Sequence, residues 1–526
     1  MEMKKVEDVV KVSIEEDLAE LVSGFGRYQI WQCVLAAIPV VCTALSNTNF
    51  VFAAAAIDYR CAVPQCEVNN ASSALPIWWP SNVTNVHCSR PVYAHNATCN
   101  PEELDHVEEC DQWLYDTRDS IVNEFDLACH EWKRTLVGTV HNLGVLISMP
   151  LMGYISDRWG RRKAIAISGL CLGIGALKIL AGTGQDAYLT YILIEFFEAV
   201  LVTGTYTTCF VLIVELIGSD KRTIGSAAVG ISVAVGELIL TFIVWNIPYW
   251  RHFLLLVASP APIFLLYPYI LEESMRWLLT NGKSGEALMV LQKIASWNHF
   301  AVSDKVVDEI TKELKGAMSQ NIAKEKFNVK LLFSSPALLK RVIVCSWWWF
   351  TAAFVYYGLM FNSVGLPGNK FTNFALSSLA TIPGDIIAVI TLDRIGRKKT
   401  LLGGFVFCGI CCVSSGFIPQ DYKTTSIAVF LIGKTSISAC FNAVYVYTSE
   451  LVPTSARGSL VGTCSMLARV GTVLAPLTPL LSEWWRALPT ALFGCASLSA
   501  AALTLATPET LRRRLPDTVA EATAMA

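Results

Sequence analysis

The chain has 526 residues, of which 53% are hydrophobic and 16% charged, with a formal net charge of −2. Soluble domains carry roughly 25% charged residues, so a chain this apolar cannot cover its own surface in water and needs a bilayer. The near-neutral balance excludes a bulk polyanion binder. No zinc-finger spacing, basic-aromatic stripe or phosphate-cradling loop points to nucleic acid, NTP, metal or cofactor.

Residues 1–23 carry Glu15, Glu16, Asp17 and Glu20 and lack the apolar core and cleavage site of a signal peptide. They are expected to form a cytosolic helix. A spanning helix takes ~20 largely apolar residues to cross ~30 Å of hydrocarbon. Twelve stretches qualify, spans 1 to 12, near 30–55, 135–155, 163–182, 187–213, 223–246, 250–270, 340–361, 371–392, 399–418, 425–447, 458–481 and 486–506. Short-loop Lys and Arg set orientation. Arg158, Arg161, Arg162 and Lys163 follow span 2, Arg394, Arg397, Lys398 and Lys399 follow span 8, and Arg512, Arg513 and Arg514 follow span 12. Both termini are therefore expected in the cytosol. The expected organisation is a cytosolic N-terminus (1–29), a six-helix half (30–270) with an extracellular loop (57–133), a cytosolic linker loop (271–339), a second six-helix half (340–506) and a cytosolic tail (507–526).

The loop carries six of the seventeen cysteines, Cys61, Cys66, Cys88, Cys99, Cys110 and Cys129. An even number in an oxidising compartment suggests disulfides, with the pairing left open. It also carries glycosylation sequons at Asn70, Asn82 and Asn96. The other cysteines fall in spans and are expected to be small buried apolar residues.

The halves share landmarks at a nearly fixed offset. Asp157-Arg158-Trp159-Gly160-Arg161-Arg162-Lys163 recurs as Asp393-Arg394-Ile395-Gly396-Arg397-Lys398-Lys399, offset 236. Glu215-Leu216 with Arg222 recurs as Glu450-Leu451 with Arg457, offset 235, and Glu273-Ser274 as Glu509-Thr510, offset 236. Positive-inside topology needs charge, not the same order of Asp, Gly and Glu. The recurrence predicts a duplicated six-span unit whose gating latches pair Glu215 and Glu450 with the Arg clusters, forming and breaking as the cytosolic side closes and opens.

The turn from Gly153 to Arg162, G-x-x-x-D-R-x-G-R-R, resembles the signature of the major facilitator superfamily, as do its second copy and the stretch 272–279. Trp113-Leu114-Tyr115, the run from Ser120 to Cys129, Tyr356-Tyr357-Gly358-Leu359, Tyr445 to Glu450 and Pro508-Glu509-Thr510 resemble the organic cation, organic anion and carnitine transporter family. The resemblance implies an all-α membrane protein of twelve transmembrane helices in two pseudo-symmetric six-helix halves, the major facilitator fold. It also implies a transporter and not an enzyme.

An ionisable side chain at mid-membrane costs ~2.5–3.5 kcal/mol on insertion scales, so such residues point to function. Candidates are Glu198 (span 4), Glu237 (span 5), Asp385 (span 8), Lys434 (span 10) and Arg469 (span 11), with Lys178 and Glu195 as lesser ones. Arg469 lies twelve residues past Arg457, so ~18 Å from the basic end. It either binds a substrate carboxylate, for which a guanidinium fork suits two oxygens, or pairs with Glu237 or Asp385. The resemblance favours the first, because Arg at this position is typical of the anion and carnitine carriers. Asp385 either receives a substrate ammonium or neutralises Arg469. Lys434 corresponds to Glu198 at offset 236, and the two are expected to face each other across a cavity or pair between the halves.

Span 7 holds Trp347, Trp348, Trp349, Phe350, Phe354, Tyr356 and Tyr357. Aromatic faces attract ammonium groups but also anchor spans at interfaces. Tyr356 and Tyr357, which carry the family resemblance, are the ones expected to line a pathway. His141 in span 2 is a lone histidine that either titrates or is simply hydrogen-bonded.

These readings combine into a plasma-membrane transporter of small organic ions working by alternating access. The substrate expected is an organic cation or zwitterion, carnitine-like or an amino-acid-derived amine, and the alternative is an organic anion held by Arg469 and Lys434. A transport-dead receptor or scaffold is the reading from another class. The partners expected are the small organic ion, the lipid bilayer and a coupling ion of unknown identity, without nucleic acid.

Overall fold

The computed structural model describes residues 26–67, 73–83, 85–93, 99–100, 104–217, 222–299, 336–419, 421–452 and 457–511. The N-terminal stretch 1–23, the sequons at Asn70 and Asn96, and Arg512 to Arg514 lie outside them.

Eleven helices among the described residues are long and apolar enough to cross a membrane. Spans 1 to 6 are Arg27–Ala53, Glu131–Trp159, Arg161–Leu180, Asp186–Ile217, Ala227–Asn246 and Trp250–Ile270. Spans 7 to 11 are Leu338–Gly365, Lys370–Arg394, Arg397–Phe417, Lys423–Leu451 and Leu460–Glu483. Span 12 is the shorter apolar helix Leu488–Thr504, of 17 residues, near the lower limit for crossing hydrocarbon. The apolar runs of the sequence thus become helices at the expected places.

Proline is accommodated by neighbours, as expected in membrane helices. Pro39 inside span 1 has no N–H for the carbonyl of Leu35, four residues back. The Tyr267 hydroxyl from span 6 donates to that Leu35 carbonyl at 3.0 Å. Spans 3 and 11 tighten into 3-10 helix over Leu172–Leu180 and Ala475–Glu483. Span 4 is interrupted at Thr203, where the Ser148 hydroxyl of span 2 accepts from the Gly204 N–H at 2.8 Å.

Between spans 1 and 2 the chain forms a small disulfide-bonded loop with four short strands. β1 (Tyr59–Cys61) pairs antiparallel with β4 (Trp113–Tyr115), Tyr59 opposite Tyr115. β2 (Ser89–Tyr93) pairs antiparallel with β3 (Leu104–Glu109), Ser89 opposite Glu109. Cys61, Val63, Trp79, Val83 and Tyr93 form its core. All six loop cysteines are paired, as Cys61–Cys110, Cys66–Cys99 and Cys88–Cys129. The sequon residue Asn82 is exposed. The expectation that the remaining cysteines are all buried needs correction. Cys495 is exposed, and Cys33 and Cys171 are half-buried at the edge of the core of spans 1–6.

Ring contacts between spans 1–6 and spans 7–12 gather at the end that carries this loop. Phe50 of span 1 lies 5.3 Å from Phe361 of span 7, and Phe52 lies 5.0 Å from Phe374 of span 8. Trp245 of span 5 stacks on Phe371 of span 8 at 5.8 Å. A cleft of about 50 Å³ beside this seam touches Phe50, Arg134, Phe361 and Pro476.

Cys129 lies two residues before span 2 and is bridged to Cys88 across 41 residues. Replacing both by Ser should lower stability by on the order of 2–4 kcal/mol. The measurement is the melting midpoint of the purified full chain, with the same change in midpoint expected when only one of the two is replaced.

Candidate transport pathway

At the end opposite the loop, the Asp–Gly–Arg turns build the same structure twice. Span 2 ends at Trp159, Gly160 turns the chain at φ +100°, and span 3 begins at Arg161. A helix start leaves backbone N–H groups without partners and favours a negative group there. Glu273, just beyond span 6, supplies it, accepting from the Arg161 N–H at 2.8 Å and the Arg162 N–H at 3.2 Å. Burial pushes the Glu273 carboxyl up, and the backbone N–H groups of Ser274, Arg161 and Arg162 pull it back down. The Arg161 side chain pairs with Asp157 at 3.1 Å and Glu215 at 3.3 Å.

In the second copy Gly396 turns at φ +109°. Glu509 accepts from the Arg397 N–H at 3.0 Å and the Lys398 N–H at 3.1 Å. Arg397 pairs with Asp393 at 3.4 Å and Glu450 at 3.2 Å. The Thr510 hydroxyl donates to Glu450 at 2.5 Å. Glu215 and Glu450 therefore meet the Arg clusters as expected. Each set is complete within its own six spans, because Glu215 and Glu273 flank Arg161 and Glu450 and Glu509 flank Arg397. Asp157 and Asp393 keep 77% and 75% side-chain exposure. Arg158 and Arg394 are exposed, Arg158 donating to the Tyr154 hydroxyl at 2.7 Å. The Arg457 side chain lies outside the described residues.

Midway along the spans, two charged residues stand at the two seams between spans 1–6 and spans 7–12. Arg469 of span 11 reaches span 2, with Nη2 4.0 Å from the Met149 sulfur. Among the described residues its buried Nε makes no hydrogen bond, and no ion pair involves it. Asp385 of span 8 faces span 5, where a Cβ placed on Gly230 would meet its Oδ2 at 2.9 Å. Its other oxygen accepts from Ser438 and Asn442 of span 10, both at 2.7 Å. Met149 and Asp385 are 236 residues apart, the repeat offset. The two seams are thus pseudo-symmetric, one cationic and one anionic. Tyr206 of span 4 lies within electrostatic reach of Arg469, Asp385, Tyr357 and Tyr445, and Tyr445 within reach of Arg469. Arg469 and Asp385 do not pair with each other.

Glu237 and Lys434 stand at the same seam as Asp385, Lys434 within electrostatic reach of both acids, and Glu198 goes elsewhere. The Lys434 ammonium lies 3.3 Å from the Tyr356 ring centroid and donates to the Tyr356 carbonyl at 2.9 Å. Lys434 and Glu237 are 1% and 3% exposed, and Glu237 interacts across the seam with Ser378 and Lys434. Glu198 does not face Lys434. It pairs with Lys178 of span 3 at 2.5 Å, because span 3 delivers an ammonium on the near side of span 4. Within the span 7 aromatics, Trp348 stacks on Tyr447 at 5.2 Å and Trp349 donates to Thr448 at 3.0 Å. Tyr357 is the one within electrostatic reach of Tyr206. Tyr206, Tyr445, Asn442 and Ser438 were not singled out from the sequence as site residues. The repeat offset carried a signal, since 236 takes Tyr206 to Asn442.

The profile of the sugar (and other) transporter family matches residues 78–517. The chain belongs to this family. It is 30% identical over 530 residues to an organic cation transporter protein of Drosophila melanogaster, covering 96% of this chain and 93% of that one. It is 29% identical to organic anion transporter 3 of Oryctolagus cuniculus, covering 96% and 92%. The xylose transporter XylE from E. coli, in a partially occluded inward open conformation, superposes with a TM-score of 0.62 at 15% identity, covering 92% of this chain and 98% of that one. The fold is therefore the twelve-helix major facilitator fold. Like other members of the family, the protein is a multi-pass membrane transporter and not an enzyme.

A Cβ at Gly160 or Gly396 would meet the Glu273 or Glu509 carboxylate at 2.2 or 2.5 Å, and both glycines have positive φ. Gly160→Ala and Gly396→Ala should each destabilise by about 1–3 kcal/mol. Gly403→Ala, where a Cβ meets nothing within 4 Å, should be neutral or slightly stabilising. Melting curves of the three purified variants check this.

Proposed function

We propose that this transporter carries small organic ions bearing both charges: a carnitine-like or amino-acid-derived zwitterion, with its carboxylate on Arg469 and its ammonium toward Asp385. The observation that carries the reading is the pair of opposite charges on the two pseudo-symmetric seams, with Tyr206 in reach of both. A guanidinium lacking a carboxylate partner suits an incoming carboxylate, which it holds with two parallel hydrogen bonds. The tyrosine faces of Tyr206, Tyr357 and Tyr445 favour an alkylated ammonium. Lys434 is spent on Tyr356, which weakens the case for an organic anion held by two cations. The names of the relatives, organic cation and organic anion transporters, agree with small organic ions as a class.

The same reading puts the Arg-rich turns in the cytosol and the disulfide-bonded loop outside a plasma membrane, where Asn82 carries a glycan. The aromatic contacts at the loop end then form the outer gate, and the pathway opens toward the cytosol. Residues 30–270 and 340–506 rock about the seams. Each Arg latch keeps its own half rigid and presents exposed Asp157, Arg158, Asp393 and Arg394 at the inner mouth.

The test is uptake of radiolabelled carnitine, tetraethylammonium and glutarate by cells expressing the wild type, Arg469→Ala and Asp385→Asn, with surface expression measured in parallel. A lost charged hydrogen bond of about 1.5–3 kcal/mol corresponds to a fall of roughly 10–100-fold in carnitine uptake for Arg469→Ala. Asp385→Asn should also weaken carnitine uptake. Carnitine uptake unchanged in Arg469→Ala, or tetraethylammonium as the only probe carried and carried equally by that variant, overturns the carboxylate role. Glutarate as the only probe carried means an organic anion transporter, and no saturable flux across the panel means a receptor.

A further inference from the structure

A second group of charges lies in the first six spans, away from the two seams. Lys178 Nζ is 2.5 Å from Glu195 Oε2 and 2.5 Å from Glu198 Oε2. The other Glu195 oxygen is 2.6 Å from His141 Nδ1, and His141 Nε2 is 2.7 Å from Asn47 Oδ1. Ser46, beside Asn47 in span 1, donates to Glu198 Oε1 at 2.5 Å. The fit is close: a Cβ on Gly175 would meet Glu198 Oε1 at 2.7 Å. Lys178 and Glu195 are 0% exposed, and Glu198 and His141 are 1% exposed. Only Asn47 in this group is half-buried.

Two carboxylates against one ammonium leave one negative charge uncompensated where little water screens it. The groups facing His141 show what can balance it. Span 4 offers Glu195, Glu198 and Tyr191, whose ring lies 5.8 Å from Lys178 Nζ. Span 3 offers Lys178. Span 1 offers the neutral Ser46 and Asn47 and the Phe50 ring, at 5.1 Å. Span 11 meets span 2 at Met149 through Arg469, about two turns along the helix, and its Glu483 lies out near Tyr59. On span 2 itself, Arg134 is committed to Glu131 at 2.6 Å. One more proton makes the group neutral, and the carboxylate oxygens are already engaged by Lys178, Ser46 and His141, whereas His141 Nε2 faces the half-buried Asn47, the side nearest water.

We infer that His141 binds a coupling proton, so that substrate movement is linked to proton movement; this rests on the reading of the chain as an active carrier. The proton comes from water at the Asn47 side and adds to the Nε2 lone pair. Nε2–H then donates to Asn47 Oδ1, while Nδ1–H donates to Glu195. On release the proton returns to water, and Asn47 turns its amide so that Nδ2–H donates to the bare Nε2. Span 1, which carries Asn47 and the Phe50 contact at the loop-end seam, thereby changes its bonding with the charge on His141.

The experiment uses the full chain in liposomes containing a pH-sensitive dye, with whichever of carnitine, tetraethylammonium or glutarate the cells take up. Wild type should accumulate substrate by up to about tenfold per pH unit imposed and move protons with it. His141→Gln should lose accumulation and the dye signal far more than substrate–substrate exchange, which needs no net proton movement. Glu195→Gln balances the group without a proton on His141 and should show the same split; it serves if His141→Gln does not fold. A purely structural role would lower exchange and accumulation together. Wild-type accumulation indifferent to the imposed pH gradient, with no dye signal, overturns the inference. If none of the three probes is carried, the substrate reading fails instead. Histidine NMR of the purified chain then decides the proton site alone: a charged imidazole signal at neutral pH that vanishes in His141→Gln supports it, and a neutral one overturns it.

Discussion

A charge buried among helices at membrane depth must find its opposite close by, because burying it unpaired costs several kcal/mol. Much of this structure follows from that constraint. No ion pair among the described residues joins spans 1–6 to spans 7–12. Lys178 holds Glu195 and Glu198, Arg161 holds Asp157 and Glu215, and Arg397 holds Asp393 and Glu450. Among the described residues Arg469 and Asp385 are in no such pair, and each stands on a seam. A transporter needs that asymmetry. Charges satisfied within a half hold the half together, and charges left unsatisfied between halves are available to a solute.

The ends of the spans extend the same logic. Glu273 and Glu509 each come from just past the last helix of their set and cap the third helix of that set. One carboxylate thus ties the start of span 3 to the end of span 6, and its copy ties span 9 to span 12. Charged and hydrogen-bonded contacts of this kind are directional and resist sliding. The seams are built differently, from ring contacts such as Phe50 with Phe361. Dispersion contacts are short-ranged and individually weak, so they can be exchanged for others without stranding a polar group. Rigid bodies joined by a slippery interface are what a rocking mechanism requires.

The fold was legible in the sequence because its signals are long. Apolar runs of the right length become spans, and the repeated Asp–Gly–Arg turn recurs at one offset. The site was legible only in part. Arg469 and Asp385 stood out because any charge at that depth does. Their relation to each other did not, since spans 8 and 11 are far apart in the chain and only the packing against spans 5 and 2 shows that they occupy equivalent seams. Glu198 was misassigned because the repeat aligns it with Lys434, while its real partner, Lys178, comes from a 3-10 stretch with no counterpart charge in the second copy. Tyr206 and Tyr445 carry no charge and looked like any other aromatic in an apolar helix. Glu273 and Glu509 were visible as repeats, but their work on backbone N–H groups needs three-dimensional proximity.

The three disulfides have a consequence for biogenesis. All six loop cysteines lie between Cys61 and Cys129, so the complete set leaves the ribosome before span 3 has been made. Domains fold as units, N-terminal parts first, during synthesis. The loop can therefore finish oxidising while the chain has only two membrane segments, and it fixes the spacing of spans 1 and 2 before spans 3 to 12 pack around them. A mispaired cysteine would then act as an assembly error early in translation, lowering the number of folded carriers and not the rate of each.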